Sequence, residues 1–333
     1  MMSGHFFKRI FSVLLLLSQS VYAAKPDTNP ANLPAAKKNT ALQTSQQLTL
    51  RQKLILLEKK QTQNTNHFIF DLPVTYNKKV SQWISFFQGR GRNFFRQWLE
   101  KSSKYMPQIQ SDLKAAGLPT DLAFMVMIES GFSATAVSSA QAVGPWQFIQ
   151  STGRNYGLRQ AHWIDERRDL QKSTQAAIRY LKDLYAEFGS WYLVAASYNM
   201  GENGLRKQIM KHRTKDFWEL VRRQALPPET QDYVPKILAA MMISKAPNLY
   251  GFRDLDPYFP VAKETIFAPG GTDLDLLADH LNITRKALRD LNAEIILGYI
   301  PQQVIGHTIR IPKGSQLAAQ TFFREQNKKL ALE

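Results

Sequence analysis

The sequence predicts a mainly α-helical protein, and three stretches of the chain carry that prediction. Aromatic and apolar residues recur at helical spacing from His67 to Gly117, where they supply packing surface. An uninterrupted apolar run, Leu122 to Ile128, lies between a proline and a glycine that are placed to begin and end a helix. Helical signals then continue to about Ala246, so a helical region is expected to cover more than half of the chain.

The first 66 residues are not expected to contribute to a folded core. Lys8 and Arg9 precede a short apolar stretch, and Val21-Tyr22-Ala23 follows it, a pattern typical of a signal peptide over residues 1–23. Residues 24–66 are rich in Pro, Asn, Thr, Gln and Lys, which indicates a polar linker. Because the apolar stretch is too short to span a membrane, we expect a periplasmic or secreted protein with no stable membrane span after processing.

Composition excludes several kinds of chemistry. The chain has 333 residues and no cysteine, which excludes disulfides, thiol catalysis, cysteine-bound metals and a lipid-modified N-terminal cysteine. Its six histidines show no metal-ligand spacing and nucleotide-binding glycine motifs are absent, so no cofactor is expected. The formal net charge is +16, or +14 once Lys8 and Arg9 leave with the signal peptide, and it predicts attraction to polyanions.

The most informative residue is Glu129, which directly follows the apolar run. Pro119 suits the first helical position and Gly131 is placed to stop the helix, so Glu129 lies in the last turn. A helix that is apolar on all sides is buried, and both desolvation and the negative end of the helix dipole raise the pKa of a carboxyl. A carboxyl of this kind is suited to general acid catalysis. The alternative is a buried glutamate paired with an Arg or Lys elsewhere.

Three further motifs follow Glu129 along the chain. They are the block Gly144–Phe148, the polar residues Ser197 to Gly201 at the end of an apolar stretch, and the segment Pro227 to Lys236. Together with the Glu-Ser pair at residue 129, these blocks resemble the lytic transglycosylases of the goose-lysozyme superfamily, glycoside hydrolase family 23. Within that family they most resemble the membrane-bound lytic murein transglycosylase D group. Each block alone is a weak signal, but four in order over roughly a hundred residues make a chance match improbable.

The resemblance implies a fold and a reaction. It implies a lysozyme-like catalytic domain over residues 118–246, with residues 67–117 as a helical N-terminal extension. It also implies cleavage of the β-1,4 bond between N-acetylmuramic acid and N-acetylglucosamine in peptidoglycan, with formation of a 1,6-anhydro ring. In that reaction Glu129 first protonates the glycosidic oxygen and then removes the proton of the muramic C6 hydroxyl, which attacks C1.

The resemblance also implies which residues contact the sugar. Gln147 and Tyr198 match residues that line the site, and Ser138 matches a serine that hydrogen-bonds near the reacting sugar. Asn199 matches a residue that holds sugar or backbone. The alternatives are a plain loop hydroxyl for Ser138, whose role Ser139 could share, and a helix cap for Asn199.

Glu229 is the second acid of interest. It follows two prolines at an expected helix start, where the helix dipole lowers a carboxyl pKa and keeps the group ionised. Two acids with opposed pKa shifts fit a general acid and an orienting partner, although a simple helix-start glutamate is the alternative. The charged run from Asp165 to Asp169 is interpreted as ion pairs on a loop, with Asp169 near a helix start and no catalytic role.

The C-terminal segment resembles a LysM module, a small sugar-binding domain. Gly271, Leu274, Leu277 and Ala278 fall where that repeat has its Gly-Asp-Thr-Leu-x-x-Ile-Ala, although the Thr and Asp are in swapped order. The resemblance implies a β-α-α-β unit over residues 263–313 and a tail over residues 314–333. Binding of N-acetylglucosamine chains and a purely structural cap are both open. Because every catalytic motif lies upstream, truncation after about residue 262 is expected to leave the catalytic domain folded.

Peptidoglycan glycan strands are the expected partner, and two alternatives to the transglycosylase activity stay open. A hydrolytic muramidase of the goose-lysozyme type needs a second carboxylate to place a water, for which Asp165, Glu166 and Glu229 are the candidates. A non-catalytic peptidoglycan-binding protein is the other alternative, which the intact set of motifs disfavours. Nucleic acid is not an expected partner, because the basic segment Gly89 to Phe95 is better explained as a solvated helix junction.

Overall fold

The computed structural model describes the backbone of residues 70–330 and the side chains of residues 70–326. The predicted signal peptide, the polar linker and the first residues of the predicted extension lie outside the described residues. Twelve α-helices and four short strands make up the described part of the chain, so the predicted mainly helical fold class is confirmed. None of these helices combines the length and the apolar character needed to cross a membrane.

The N-terminal extension contains two helices joined by a tight turn, α1 (Lys78–Gln88) and α2 (Arg92–Ala115). The predicted helix junction is this turn together with the first residues of α2. Aromatic side chains of both helices pack together, and the rings of Phe87 and Phe95 stack with their centroids 4.3 Å apart. The extension therefore contributes its own apolar surface to the core.

The helix that carries Glu129 starts with a 3₁₀ turn, Thr120–Ala123, and continues as α3, Phe124–Ser130. Its apolar residues from 122 to 127 are buried, as the sequence predicted, and Ile128 is partly exposed. Gly131 ends the helix with a φ of +57°, in the left-handed region. A Cβ at this position would lie 2.1 Å from Nε1 of Trp98 in α2, so the close approach of the two helices requires glycine.

Six further helices complete the helical region: α4 (Gln150–Asn155), α5 (Leu170–Phe188), α6 (Trp191–Met200), α7 (Glu202–His212), α8 (Phe217–Arg222) and α9 (Pro228–Lys245). A 3₁₀ turn, Pro247–Tyr250, follows them. The last of the six, α9, is central to the packing because it contacts α1, α3 and α6. Its residues from 237 to 243 are almost completely buried.

A buried ion pair fixes the start of the acid-bearing helix. The Asp121 side chain has no exposed surface and accepts a hydrogen bond of 2.7 Å from Nζ of Lys245, at the end of α9. The backbone N–H of Asp71 donates to the Asp121 carboxylate, and the backbone N–H of Asp121 donates to the Asp71 carboxylate, both at 2.9 Å. Burial raises the pKa of Asp121, and the hydrogen bond from Lys245 opposes that rise.

The charged run from Asp165 to Asp169, predicted as a loop, begins at the end of a short strand and continues as a 3₁₀ turn, Glu166–Arg168, and most of it is buried. Two short strands, β1 (Gln160–Ala161) and β2 (Ile164–Asp165), form a hairpin that leads into it. Arg167 donates two hydrogen bonds to the Asp165 carboxylate, at 2.9 and 2.7 Å. Asp169 begins α5 by accepting from a backbone N–H, which confirms its predicted place at a helix start.

The C-terminal segment forms a β-α-α-β unit. Its strands, β3 (Lys263–Pro269) and β4 (Gly306–Pro312), pair antiparallel with Ile266 opposite Ile309. Between them lie α10 (Leu274–His280) and α11 (Arg285–Leu291). The element order is the one that the LysM resemblance implied, whereas the assignment to LysM stays a prediction.

Residues expected as a tail form a helix, α12 (Gln316–Leu330), that packs on the C-terminal unit. Ala319, Phe322 and Phe323 of α12 belong to the same buried cluster as the apolar residues of the two strands and two helices. The apolar face of α12 therefore closes the core of the C-terminal unit, which explains why the segment is ordered.

The hairpin of the helical region inserts into the C-terminal unit. Trp163 and Ile164 are 4% and 0% exposed and belong to the buried cluster of that unit. Backbone hydrogen bonds continue the contact, from Asp165 N to Glu294 O at 2.8 Å and from Ile296 N to Trp163 O at 2.9 Å. The hairpin thus contributes two side chains to the core of the C-terminal unit, and the unit covers the charged loop.

Candidate active site

Glu129 lies in the last turn of α3, and its side chain is partly exposed. Its Oε1 accepts a hydrogen bond of 2.5 Å from the phenolic hydroxyl of Tyr233. Tyr233 lies in α9, 104 positions further along the chain, and its side chain is buried. The packing of α9 against α3 therefore brings together a carboxyl and its hydrogen-bond donor.

The environment of Glu129 raises the pKa of its carboxyl from 4.5 to about 7. Desolvation is the largest cause, because protein surrounds the carboxyl although part of its side chain reaches the surface. The negative charge of Glu229 also raises the pKa, whereas the hydrogen bond from Tyr233 and the positive charge of Lys236 lower it. The raised pKa predicted from the sequence is confirmed, with desolvation as its main source.

Ser130 connects the acid-bearing helix to the Gly144–Phe148 loop. Its hydroxyl lies 2.8 Å from the carbonyl of Pro145 and 3.3 Å from that of Val126. The contact with Val126 is the local hydrogen bond expected at a helix end, and the contact with Pro145 adds a link to a distant loop. Ser130 therefore positions the backbone beside Glu129.

Gln147 holds the loop in shape. Its φ is +50°, and its Nε2 donates to the carbonyls of Gly144, at 2.8 Å, and Ala136, at 3.2 Å. The side chain is 8% exposed, and its Oε1 has no hydrogen-bond partner among the described residues. Its amide nitrogen is engaged by the protein, so the structure gives Gln147 a loop-supporting contact while its role toward sugar stays a prediction.

The two large side chains of the same loop fill the core. Trp146 has no exposed surface, and its Nε1 donates a hydrogen bond of 2.9 Å to the hydroxyl of Thr174 in α5. Phe148 is 2% exposed. Their burial assigns both rings to packing rather than to stacking on a ligand.

Tyr198 lies close to Glu129 but bonds to the loop. Its hydroxyl donates a hydrogen bond of 2.7 Å to the carbonyl of Trp146. Burial and the negative charge of Glu129 both raise the pKa of Tyr198, so the phenol stays neutral. The direct hydrogen bond to the acid comes from Tyr233, a residue that sequence reasoning did not select.

Ser138 and Asn199 make protein contacts of different kinds. The Ser138 hydroxyl accepts from Ala142 N at 3.0 Å and closes a short loop, which matches the plain-loop alternative. Asn199 lies inside α6, and its Oδ1 accepts a hydrogen bond of 2.6 Å from the hydroxyl of Thr230 in α9. Asn199 therefore joins two helices rather than capping one, and its contact with sugar stays a prediction.

The three candidate second carboxylates differ in their surroundings. Glu229 lies exposed in the first turn of α9, as predicted, and its charge acts on Glu129. Asp165 is paired with Arg167, and Glu166 with Lys172, in the loop that the C-terminal unit covers. Of the three, Glu229 is the acid whose charge reaches Glu129.

Sequence reasoning missed Tyr233 and Lys236, although both lie in the segment that it quoted. Residues 229, 233 and 236 are spaced by four and three positions, which puts them on one face of a helix. Nζ of Lys236 lies 4.6 Å from the ring centroid of Trp83 in α1. That spacing was a usable signal, but the direction of the face depends on how α9 packs.

Comparisons with known proteins found a matching family and several relatives. Residues 103–221 match the family described as the Transglycosylase SLT domain, a stretch that contains Glu129 and Tyr198. The chain is 35% identical over 213 residues to "Membrane-bound lytic murein transglycosylase D" of Escherichia coli (strain K12). The protein of the same name from Escherichia coli O6:H1 has the same identity. The resemblance predicted from the four motifs is confirmed.

The match is partial on both sides. It covers 62% of this chain and 46% of the Escherichia coli proteins, so the chain spans about half the length of the curated relatives it matches. A crystal structure of an inactive mutant of the lytic transglycosylase Slt from Pseudomonas aeruginosa is 22% identical, with a TM-score of 0.35. That superposition covers 45% of this chain and 24% of the other.

Proposed function

We propose that this protein, in which residues 103–221 match the transglycosylase SLT domain, is a peptidoglycan lytic transglycosylase. It cleaves the β-1,4 bond between N-acetylmuramic acid and N-acetylglucosamine and leaves 1,6-anhydro-N-acetylmuramic acid ends. The observation that carries the proposal is the partly exposed Glu129 carboxyl, whose pKa is raised to about 7 within that domain. A carboxyl with this pKa can donate a proton near neutral pH and take one back.

Bond cleavage is the first step. Protonated Glu129 gives its proton to the glycosidic oxygen, the bond between C1 of the muramic sugar and that oxygen breaks, and the N-acetylglucosamine side leaves as an alcohol. The 2-acetamido group of the muramic sugar stabilises the positive charge that develops at C1. Glu129 is then a carboxylate, and the hydrogen bond from Tyr233 and the charge of Lys236 stabilise that form.

Ring closure is the second step. The Glu129 carboxylate accepts the proton of the muramic C6 hydroxyl, and O6 forms the new bond to C1. No water is consumed, and Glu129 ends protonated as it began. Because the nucleophile belongs to the same sugar, the reaction has the entropic advantage of an intramolecular attack.

The opposing influences on Glu129 suit a group with two roles. Desolvation and Glu229 favour the protonated form that the first step needs, and Tyr233 and Lys236 favour the carboxylate that the second step needs. A pKa near 7 keeps the free-energy difference between the two forms small at neutral pH. Peptidoglycan as the substrate and a periplasmic or extracellular location belong to the same proposal.

A hydrolytic muramidase is the second candidate, and the charge of Glu229 acting on Glu129 is the observation that favours it. A hydrolase would use a second carboxylate to activate water. Mass spectrometry of muropeptides released from purified sacculi separates the two reactions. Anhydro ends support the transglycosylase, whereas reducing ends one water heavier support the hydrolase.

The direct test is Glu129→Gln, compared with Glu219→Gln as a surface control that only breaks exposed ion pairs. Loss of a general acid costs about 10² to 10⁴ in rate, and here the same group is also the base. We expect Glu129→Gln to fold and to lose at least that factor in release of muropeptides, with Glu219→Gln near wild type. Turnover by Glu129→Gln within a few-fold of wild type would remove Glu129 from the mechanism.

A further inference from the structure

A second concave surface lies between the helical region and the C-terminal unit. It is a cleft of about 410 Å³ formed by the first three turns of α5, by residues between α4 and α5, and by strands β3 and β4. Neither Glu129 nor Tyr233 lines it. The cleft exists only because the two parts of the chain pack together.

One wall of the cleft is a single face of α5, formed by side chains at helical spacing. Gln171, Gln175 and Arg179 lie at intervals of four residues, so their side chains share one face of the helix. All three are exposed, whereas the neighbouring residues of the opposite face are buried in the core. This face of α5 therefore presents two amides and a guanidinium to the cleft.

The opposite wall of the cleft is one face of the sheet, because successive side chains of a strand point to opposite sides. Thr265 and Thr308 are exposed, while the residues beside them in sequence point toward the core of the C-terminal unit or are partly covered. Phe267, two residues after Thr265, pairs with Thr308 and is 54% exposed. The outer face of the sheet thus presents two hydroxyls and an aromatic ring.

The neutral polar groups of the cleft are available to a ligand. The side chains of Gln171, Gln175, Thr265 and Thr308 make no hydrogen bond to another residue in the described part of the chain. Amides and hydroxyls both donate and accept, which suits the hydroxyl and acetamido groups of a sugar. Beside the cleft, on the same face of the sheet, the exposed ring of Phe267 offers an apolar surface on which a sugar ring can lie.

The exposed charges of the cleft are positive. Asp169 and Arg310 pair with each other in its floor and are nearly buried. Lys172 is 41% exposed, and Arg179 donates to the backbone carbonyl of Tyr156 at 2.5 Å without a carboxylate partner among residues 70–326. A ligand with a carboxylate would gain a charge-assisted hydrogen bond from Arg179.

We propose that this cleft is a second, non-catalytic binding site for a saccharide chain that carries carboxylates. The site deepens the proposed function and rests on it for the identity of the chain, which is peptidoglycan with its peptide carboxylates. It holds the polymer while Glu129 acts on another part of it. Since both walls contribute, the C-terminal unit takes part in binding through the outer face of its sheet.

The test compares two pairs of substitutions in the full chain with Glu129→Gln, which prevents digestion. The cleft variant is Gln175→Ala with Arg179→Gln. The control is Gln320→Ala with Arg324→Gln, an exposed Gln and Arg with the same spacing on α12, so both variants carry the same two side-chain changes and lose one positive charge. Binding to purified sacculi is measured by sedimentation, on native sacculi and on sacculi whose free carboxylates have been amidated.

We expect the cleft variant to bind native sacculi at least about five-fold more weakly than the control, a difference of about 1 kcal/mol. On amidated sacculi the difference should shrink to less than two-fold. Equal binding of the two variants to native sacculi would overturn the proposal, and so would an equally large difference on amidated sacculi.

A second readout separates this proposal from the proposed function. With Glu129 intact, the cleft variant should release anhydro-ended products from short, peptide-free glycan strands at the wild-type rate. If neither the wild-type protein nor the cleft variant forms anhydro ends, the proposed function fails. The sedimentation result then still shows whether the cleft binds the polymer. If the cleft variant loses turnover on short strands and binding to sacculi alike, the cleft is part of the catalytic groove and the proposal of a separate site is wrong.

Discussion

At the scale of single residues, the chemistry of this protein depends on one carboxyl whose neighbouring groups have opposite effects on its pKa. Glu129 is surrounded by the apolar residues of α3 and their neighbours, which disfavour its ionised form. Tyr233 supplies a hydrogen bond that favours the ionised form, and the charges of Glu229 and Lys236 act in opposite directions. Small changes at any of these residues should therefore move the pH range of activity.

Activity should decline on the alkaline side of neutrality. The first step needs protonated Glu129, and the protonated fraction falls about tenfold for each pH unit above a pKa of about 7. The measurement is kcat/KM for release of anhydro ends from soluble glycan strands between pH 5 and 9. A rate that stays level to pH 9 would contradict the assignment of Glu129 as the acid.

Two variants serve as controls for that alkaline decline because they should shift it in opposite directions. Glu229→Gln removes a negative charge that raises the pKa of Glu129, so the decline should begin at lower pH. Tyr233→Phe removes a hydrogen bond that lowers the pKa, so the decline should begin at higher pH. A shift of both variants in the same direction would refute this account of the pKa.

Glu129 should also make the protein less stable as the pH rises. Its pKa is higher in the folded state, about 7, than the ordinary 4.5, so the folded state binds more protons between these values. The free energy of unfolding therefore falls as pH rises from 4.5 to 7, by at most about 3 kcal/mol. Glu129→Gln lacks this loss, so it should unfold at a higher temperature than wild type at pH 8 and at nearly the same temperature at pH 4.5. A constant difference across this range would contradict the prediction.

At the scale of elements, the site is the meeting point of α3, α9 and the Gly144–Phe148 loop. Ser130 and Tyr198 hold the loop through hydrogen bonds to the carbonyls of Pro145 and Trp146. The loop in turn packs against the charged loop, since a Cβ on Gly144 would lie 1.9 Å from the carbonyl oxygen of Arg167. Glycine is required there both by its φ of +85° and by this close approach.

Gly144→Ala should therefore damage stability and activity together. The left-handed conformation alone costs about 1–2 kcal/mol for alanine, and the backbone contact must also open. Gly189→Ala is the matched control, because its φ is +67° and a Cβ there meets nothing within 4 Å. Thermal unfolding should show a loss for Gly144→Ala at least about 1 kcal/mol larger than for Gly189→Ala. Equal losses would mean that the loop moves without penalty.

At the scale of the whole molecule, the C-terminal unit packs against the hairpin of the helical region and bonds to Asp169. Trp163 and Ile164 would be exposed if the unit were removed, and Asp169 would lose the guanidinium of Arg310. Truncation after residue 262 is therefore expected to destabilise the helical region, contrary to the expectation from the sequence. The motifs lie upstream, but the C-terminal unit buries the hairpin and pairs with Asp169 of the same helical region.

The contribution of the C-terminal unit to the stability of the helical region can be measured at the ion pair of Arg310. Arg310 bonds to Asp169 of the helical region and to Glu294 of the C-terminal unit, and all three side chains are 12% exposed or less. Arg310→Met leaves two buried carboxylates without their partner, which costs about 3–5 kcal/mol. Arg285→Met, which breaks an exposed ion pair of the same unit, should cost less than about 1 kcal/mol. Chemical unfolding measures both, and similar small losses would show that the ion pair does not couple the two parts.

Features that the sequence predicts depend on interactions between residues close together in the chain, whereas the others depend on contacts between distant residues. The sequence by itself determined the helical fold class, the buried α3 with its acid and its terminal glycine, and the helix start at Asp169. These features depend on neighbours within a few residues, through periodicity, capping and backbone sterics. The same local rules predicted the helix start at Pro227 and Pro228.

Tertiary structure alone decided which groups meet. Tyr233 reaches Glu129 across 104 positions, and Arg310 reaches Asp169 across 141. It also turned Trp146 into a core residue, buried the charged loop and made α12 a part of the core rather than a tail. Such contacts depend on the orientation of one packed element against another, and that orientation is a property of the whole core rather than of any local pattern.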